Sequence, residues 1–99
     1  MEIVKAASGD TITLAVIGKL NAATADELGS AVDLALGETK SLVLDFKGLT
    51  YIASTGLRIL VSAQKKLKAS GGTLRITHVG EEVMEVFEIT GMNDIFDIQ

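Results

Sequence analysis

Residues 43–57, VLDFKGLTYIASTGL, are the stretch that decides the fold of this chain. The stretch opens in a short apolar run, Ser41–Phe46, in which three aliphatic residues follow one another without a polar break. Such a run predicts a strand covered on both faces, as in a parallel sheet between helices. A short loop follows, and a helix is predicted from Thr55 to Ala69. A buried strand, a loop and a helix in this order indicate an α/β fold.

This predicted helix has an apolar side and a polar side, and Ser70-Gly71-Gly72 should end it. The apolar side consists of Leu57, Leu60, Val61, Ala63 and Leu67, and the polar side of Arg58, Ser62, Lys65 and Lys66.

Upstream of this stretch, Glu2–Ala7 and Thr11–Ile17 predict a hairpin, because Ser8-Gly9-Asp10 between them is a turn-type cluster. A first helix should begin at Thr24, since Thr24 and Glu27 have the spacing of a capping box, and should end at Gly37.

Downstream, Thr73–Thr77 predicts a strand and Glu81–Thr90 a helix that stops at Gly91, with Phe96 and Ile98 packing back on the core. The order ββαβαβα therefore predicts a single α/β domain over residues 1–99. Its mixed sheet, an opening hairpin followed by parallel strands, should be covered by three to four helices.

The charges of the chain are unevenly distributed. The net charge of −4 argues against direct nucleic-acid binding, yet residues 47–79 contain six Lys or Arg and no acid. The absence of cysteine suits a reducing compartment. The first residues do not read as a signal peptide, and no apolar stretch approaches the roughly 20 residues of a membrane span. A cytoplasmic location without membrane insertion is expected.

Ser54 is the candidate functional residue. It is predicted to be the N-cap of its helix, beyond the carboxyl end of a strand, where α/β folds often place function. Gly56 should leave the first turn uncrowded, so that another protein can approach the Ser54 hydroxyl. Asp45, at the end of the strand, is expected to organise the loop.

An enzymatic interpretation is disfavoured. Ser54, His78 and Asp45 can be written as a hydrolase triad, but Ile52 stands where the nucleophile elbow needs glycine. The chain also lacks the glycine-rich loops that bind nucleotides. No catalytic residue, cofactor or metal is therefore predicted.

Three segments together resemble the STAS family, which includes anti-sigma-factor antagonists and domains of sulphate transporters. They are Leu44-Asp45-Phe46 with Ile52–Leu57, Gly18–Asn21 with Thr24-Ala25 as the loop before the first helix, and Val83–Met92 as the last helix. The resemblance spans nearly the whole chain.

This resemblance implies a non-enzymatic switch in which Ser54, the first residue of the S-[ST]-G tripeptide, is phosphorylated. The unphosphorylated form would bind an anti-sigma factor that is also a Ser/Thr kinase of the histidine-kinase-like ATPase type. Phosphorylation of Ser54 would release the antagonist from the anti-sigma factor, and a PP2C-like metal-dependent phosphatase would restore the unphosphorylated form. The protein is expected to be a monomer or weak dimer. The partner-binding residues would be Asn21, Thr24, Ser54, Thr55, Gly56, Arg58, Ser62 and Lys65.

Two positions depart from the family pattern. Ala53 stands where the family commonly has Asp, and Asn21 replaces an acidic residue of the loop before the first helix. The missing carboxylate at Ala53 favours an alternative function, a constitutive STAS accessory subunit of a lipid or anion transport complex or of a signalling scaffold.

Overall fold

A mixed six-stranded sheet is the frame of the molecule in the computed structural model, which describes all 99 residues. The strands are β1 (Glu2–Ser8), β2 (Thr11–Leu20), β3 (Ser41–Asp45), β4 (Leu49–Ile52), β5 (Thr73–Thr77) and β6 (Asp97–Ile98). The helices are α1 (Ala25–Leu36), α2 (Ser54–Ala69) and α3 (Glu81–Thr90), followed by a 3₁₀ turn at Met92–Asp94. The predicted α/β class is confirmed.

The strands lie in the order β1-β2-β3-β5-β6. β1 and β2 are antiparallel, and a two-residue turn joins them, in which Gly9 adopts a φ of 59° that other residues rarely take. β3, β5 and β6 run parallel to β2. β4 also runs parallel to β2, but it pairs with the last part of that strand, beyond the end of β3.

All three helices pack on one face of the sheet. Their buried side chains form one core cluster with alternate residues of β2, β3 and β5. On the opposite face of the sheet, no residue of β2, β3 or β5 is buried. Val43, for example, is half-buried between Thr13 and Arg75 on the neighbouring strands. The expectation that β3 is covered on both faces is therefore wrong, because its neighbours on that face are polar.

Two strands were not predicted from the sequence. β4 lies in what was expected to be loop, and its burial does not alternate, since Leu49 and Ile52 are buried and the two residues between them are exposed. β6 is only two residues long. Gly18–Leu20 was expected to belong to a loop but continues β2 through a register shift after Gly18. The sequence pattern missed this because the shift interrupts the period-two alternation of the strand.

The C-terminal tail packs back on the core, as predicted. Phe96 is only 6% exposed, and its ring centre lies 5.7 Å from that of Phe87 on α3. Ile98 pairs with Ile76 of the neighbouring strand. α1, α2 and α3 end at Gly37, Ser70 and Gly91, also as predicted. None of the three helices combines the length and the apolar character needed to cross a bilayer.

Candidate functional site at the start of helix α2

The start of α2 is attached to the end of β2. The N–H of Ala53 donates to the carbonyl oxygen of Leu20 at 2.9 Å, and Ala53 has the extended backbone of an N-cap, with φ −103° and ψ 173°. Ser54 is therefore the first helical residue, and its exposed side chain makes no hydrogen bond within the protein. The predicted capping role of Ser54 is wrong, because a side chain caps from the extended residue that precedes the helix.

The first turn of α2 presents free hydrogen-bond donors. The backbone N–H groups of Ser54, Thr55 and Gly56 have no acceptor within the protein. No acidic residue lies in this turn, and none occurs anywhere in α2. The helix dipole adds partial positive charge at the same end, so the surface around the Ser54 hydroxyl is suited to an anionic group.

Gly56 is buried, and the reason for a glycine here lies inside the domain. A β-carbon at this position would lie 2.6 Å from Cγ of Leu20 and 3.1 Å from Cγ1 of Ile52. The expectation that Gly56 opens the surface to a partner is corrected: it lets the helix pack against β2 and β4. Its effect on the site is to set the position of Ser54.

Thr55 differs from its neighbour Ser54 in the exposure of its hydroxyl. The residue is half-buried, and its Oγ1 is fully buried without a hydrogen-bond partner. Of the two adjacent hydroxyls, only that of Ser54 is therefore accessible to another protein.

The turn between β2 and α1 lies beside this site and is held by Asn21. Oδ1 of Asn21 accepts from the N–H groups of Ala23 at 3.0 Å and Thr24 at 3.2 Å. The Thr24 hydroxyl points back and donates to the carbonyl oxygen of Lys19 at 2.8 Å. Thr24 is the N-cap residue of α1, but its side chain makes no capping bond, so the predicted capping box is wrong. The hydroxyl oxygen instead accepts from the N–H of Asn21 at 2.9 Å, on the side away from the first turn of the helix.

The polar side of α2 continues the surface along the helix. Arg58, Ser62 and Lys65 lie on the same side of the helix as Ser54 by their spacing. Arg58 and Lys65 are exposed and take part in none of the ion pairs of the chain. Ser62 instead faces a cleft of about 70 Å³ between α1 and α2. Lys66 is paired with Asp33 of α1 at 2.9 Å.

Asp45 holds the turn that follows β3. Its Oδ1 accepts from the N–H of Lys47 at 3.0 Å and lies 3.0 Å from Nδ1 of His78. His78 is an exposed turn residue with a φ of 57°. Neither residue forms a hydrogen bond with Ser54, so the three side chains do not form the connected series that a hydrolase triad requires.

Tyr51 is a surface residue near the site that the sequence interpretation missed. It is 49% exposed, lies three residues before Ser54, and pairs with Lys19 on β2. The available signal was an aromatic residue in a segment expected to be loop, directly before the candidate serine. Aromatic side chains are frequent among the residues that dominate binding at protein interfaces.

Comparison with known proteins relates the chain to one protein family. The model of the STAS domain family matches residues 2–99. The anti-sigma-B factor antagonist of Listeria monocytogenes is 31% identical over 97 residues, which cover 97% of this chain and 85% of that protein. The anti-sigma-B factor antagonist of Bacillus subtilis is 40% identical over 52 residues, which cover 52% of this chain and 48% of that protein's length.

Solved structures share the fold. TM1081 of Thermotoga maritima has a TM-score of 0.91 at 21% identity, covering 97% of this chain and 84% of that one. SpoIIAA of Bacillus in its phosphorylated form has a TM-score of 0.77 at 15% identity, covering 99% of this chain and 91% of that one. SpoIIAA has also been solved unphosphorylated, and is an anti-sigma factor antagonist.

Proposed function

Because the chain belongs to the STAS domain family, we propose that it is an anti-sigma factor antagonist controlled by phosphorylation of Ser54. The unmodified protein binds an anti-sigma factor, and the phosphorylated protein does not. The observation that carries this proposal is the exposed, unbonded Ser54 hydroxyl at the start of α2. Two relatives are anti-sigma-B factor antagonists, and the phosphorylated structure of SpoIIAA supports a modified state on this fold.

The proposed partners form a cycle. The anti-sigma factor is a kinase of the histidine-kinase-like ATPase type and transfers the γ-phosphoryl group of ATP to Oγ of Ser54, which loses its proton as ADP leaves. A PP2C-like metal-dependent phosphatase hydrolyses the phosphate ester and restores the serine. The domain itself is a binding protein, acts in the cytoplasm, and is a monomer or weak dimer.

The partner-binding surface in this proposal is centred on Ser54. On one side of Ser54 lie Asn21 and Thr24, in the turn that follows Leu20, whose carbonyl oxygen accepts the hydrogen bond from Ala53. On the other side of Ser54, α2 extends the surface. Residues that contribute directly are Asn21, Thr24, Ser54, Arg58, Ser62 and Lys65, with Tyr51 as an additional anchor. Thr55 contributes without its hydroxyl, which is buried. Gly56 contributes indirectly by setting the position of Ser54.

Release follows from local electrostatics and requires no refolding. A phosphate adds about −1.5 to −2 charges and three acceptor oxygens. At a helix N-terminus this charge is favourable by about 0.3–1 kcal/mol on an exposed surface, so the domain tolerates it. In the interface the same group is desolvated and repels acidic residues of the partner, so the complex dissociates.

The test is to incubate the protein with an anti-sigma factor kinase of the histidine-kinase-like ATPase type from the same organism, with Mg-ATP, and to read the intact mass. The expected result is the addition of one phosphate, which is absent in Ser54→Ala and present in Thr55→Val. Binding is then measured for both forms by calorimetry, with circular dichroism as the check on folding. A phosphorylated form that is folded and binds as tightly as the unmodified form rules out the switch.

The same experiment tests the second candidate, a constitutive accessory subunit of a transport complex or scaffold. Ala53 favours this candidate, because it places no carboxylate beside Ser54 for a kinase to recognise. Absence of phosphate transfer, together with stable co-purification of transporter or scaffold subunits, would support this candidate and exclude the first.

A further inference from the structure

We propose that Arg58 binds the phosphate on Ser54 within the same helix, so that phosphorylation also withdraws Arg58 from the partner. This inference rests on the proposed phosphorylation of Ser54 and assigns a second effect to it. Arg58 serves as a cation for an acidic partner residue in the unmodified protein and as the phosphate ligand in the modified one.

The spacing of the two residues allows this pair. Ser54 and Arg58 are four residues apart in α2, and both are exposed. Side chains at this spacing on a helix are neighbours, with β-carbons roughly 6 Å apart. The anion would lie on the N-terminal side of the cation, which is the more favourable order for such a pair. A guanidinium can also donate two parallel hydrogen bonds to a phosphate.

No other acid competes for Arg58. The four ion pairs of the chain join Lys5 to Glu38, Lys66 to Asp33, Arg75 to Asp97 and His78 to Asp45. Arg58 is in none of them, and α2 has no Asp or Glu. The other cations of α2 are less suitable, because Lys66 is paired, and Lys65 and Lys68 lie about 16 Å and about 21 Å along the helix from Ser54.

The first turn of α2 would complete the phosphate environment. The free N–H groups of Ser54, Thr55 and Gly56 would donate to the phosphate together with the Arg58 guanidinium. The modified surface would then differ from the unmodified one in two respects: it would gain a dianion, and Arg58, an unpaired cation of the same helix, would be neutralised. An acidic partner residue that pairs with Arg58 before modification would lose that contact as well as meeting the new negative charge.

The experiment uses the full chain with phosphoserine incorporated at position 54 during synthesis, so that neither kinase nor partner is needed. The second ionisation of the phosphate is followed by ³¹P NMR in the Arg58 protein and in Arg58→Gln. We expect the phosphate pKa to be higher in Arg58→Gln by about 0.3 pH units, since an exposed pair at this spacing contributes a few tenths of a kcal/mol. The difference should vanish in about 1 M salt, where the Debye length is near 3 Å.

Lys65→Gln is the matched control, because it removes the same charge from the same side of the helix but farther from the phosphate. Its phosphate should titrate like that of the parent, and Arg58→Lys should give an intermediate value. Equal titration of the parent and Arg58→Gln would overturn the role of Arg58 in phosphate binding. That outcome would leave the proposed function intact. The proposed function fails only if the kinase does not modify Ser54 or if the phosphorylated domain still binds its partner.

Discussion

At the scale of single residues, the packing of Gly56 against Leu20 determines where Ser54 lies. The α-carbon of Gly56 approaches Leu20 so closely that a methyl group would overlap its side chain. The hydrogen bond from Ala53 to Leu20 fixes the residue before the helix at the same place. Leu20 itself is fully buried, so it cannot move aside freely. Both contacts fix the start of α2 against β2, where the Ser54 side chain is exposed and the Thr55 hydroxyl is buried.

Replacing Gly56 by Ala should therefore destabilise the domain. We expect a loss of about 1–3 kcal/mol in the free energy of unfolding, typical of overpacking, although Ala gains up to about 1 kcal/mol in helix propensity. Urea denaturation measures the difference. Gly29→Ala in α1 is the control, because its β-carbon would lie 3.3 Å from the mobile end of Ile59, and it should be neutral or stabilising. A Gly56→Ala protein as stable as the parent would show that this close packing is absent.

At the scale of elements, the tail after α3 is part of the core. The 3₁₀ turn Met92–Asp94 reverses the chain, and β6 joins the edge of β5. Phe96 lies between these two segments and is buried against Phe87 of α3. The neighbouring Ile95 is 48% exposed, so one residue of this apolar pair faces the interior and the other faces solvent.

Phe96→Ala should destabilise the domain much more than Ile95→Ala. Removing a buried phenyl ring typically costs about 3–5 kcal/mol, and Phe96 is only 6% exposed. Ile95→Ala should change the free energy of unfolding by less than about 1 kcal/mol. Both values come from urea unfolding curves. Equal effects of the two substitutions would mean that the tail is not packed as described.

At the scale of the whole molecule, charge is separated between surfaces. α2 presents four cations and no acid, with only Lys66 paired, whereas α3 presents four glutamates in no ion pair. The sheet face opposite the helices is separate from both of these charged helix surfaces. Charged patches of one sign accelerate the association of complementary surfaces more than they stabilise the complex.

Lys65→Glu should therefore slow association with the anti-sigma factor at low salt, with a smaller effect on dissociation. A decrease of about tenfold in the association rate is expected, because the charge reversal lies within the proposed interface. Arg75→Glu is the control: it makes the same change in net charge on the opposite face of the sheet. Stopped-flow or surface plasmon resonance at two salt concentrations measures both. Identical association rates for the two variants would exclude an interface on the polar side of α2.

Much of the architecture could be predicted from local patterns in the sequence. The hairpin turn at Gly9, the apolar stripe of α2 and the stop at Gly91 each depend on residues within a few positions of one another, so their signals are present in the linear chain. The identity of Ser54 as the candidate residue came from the same kind of local signal, a serine where a helix starts after a strand. Its role in partner binding and phosphorylation stays a prediction.

Other features depend on residues far apart in the chain, and only the tertiary structure decided them. β4 exists because Tyr51 and Ile52 find partners on β2 some thirty positions earlier. No helix covers the opposite face of the sheet, because polar side chains of β2, β3 and β5 lie next to one another on it. The need for glycine at position 56 follows from the contact of α2 with Leu20, and the exposure of Ser54 and the burial of the Thr55 hydroxyl likewise depend on how α2 packs in the domain. The spacing of apolar residues along the sequence shows which side of a helix or strand is apolar. Which other helix or strand packs against that side depends on the free energy of the whole core.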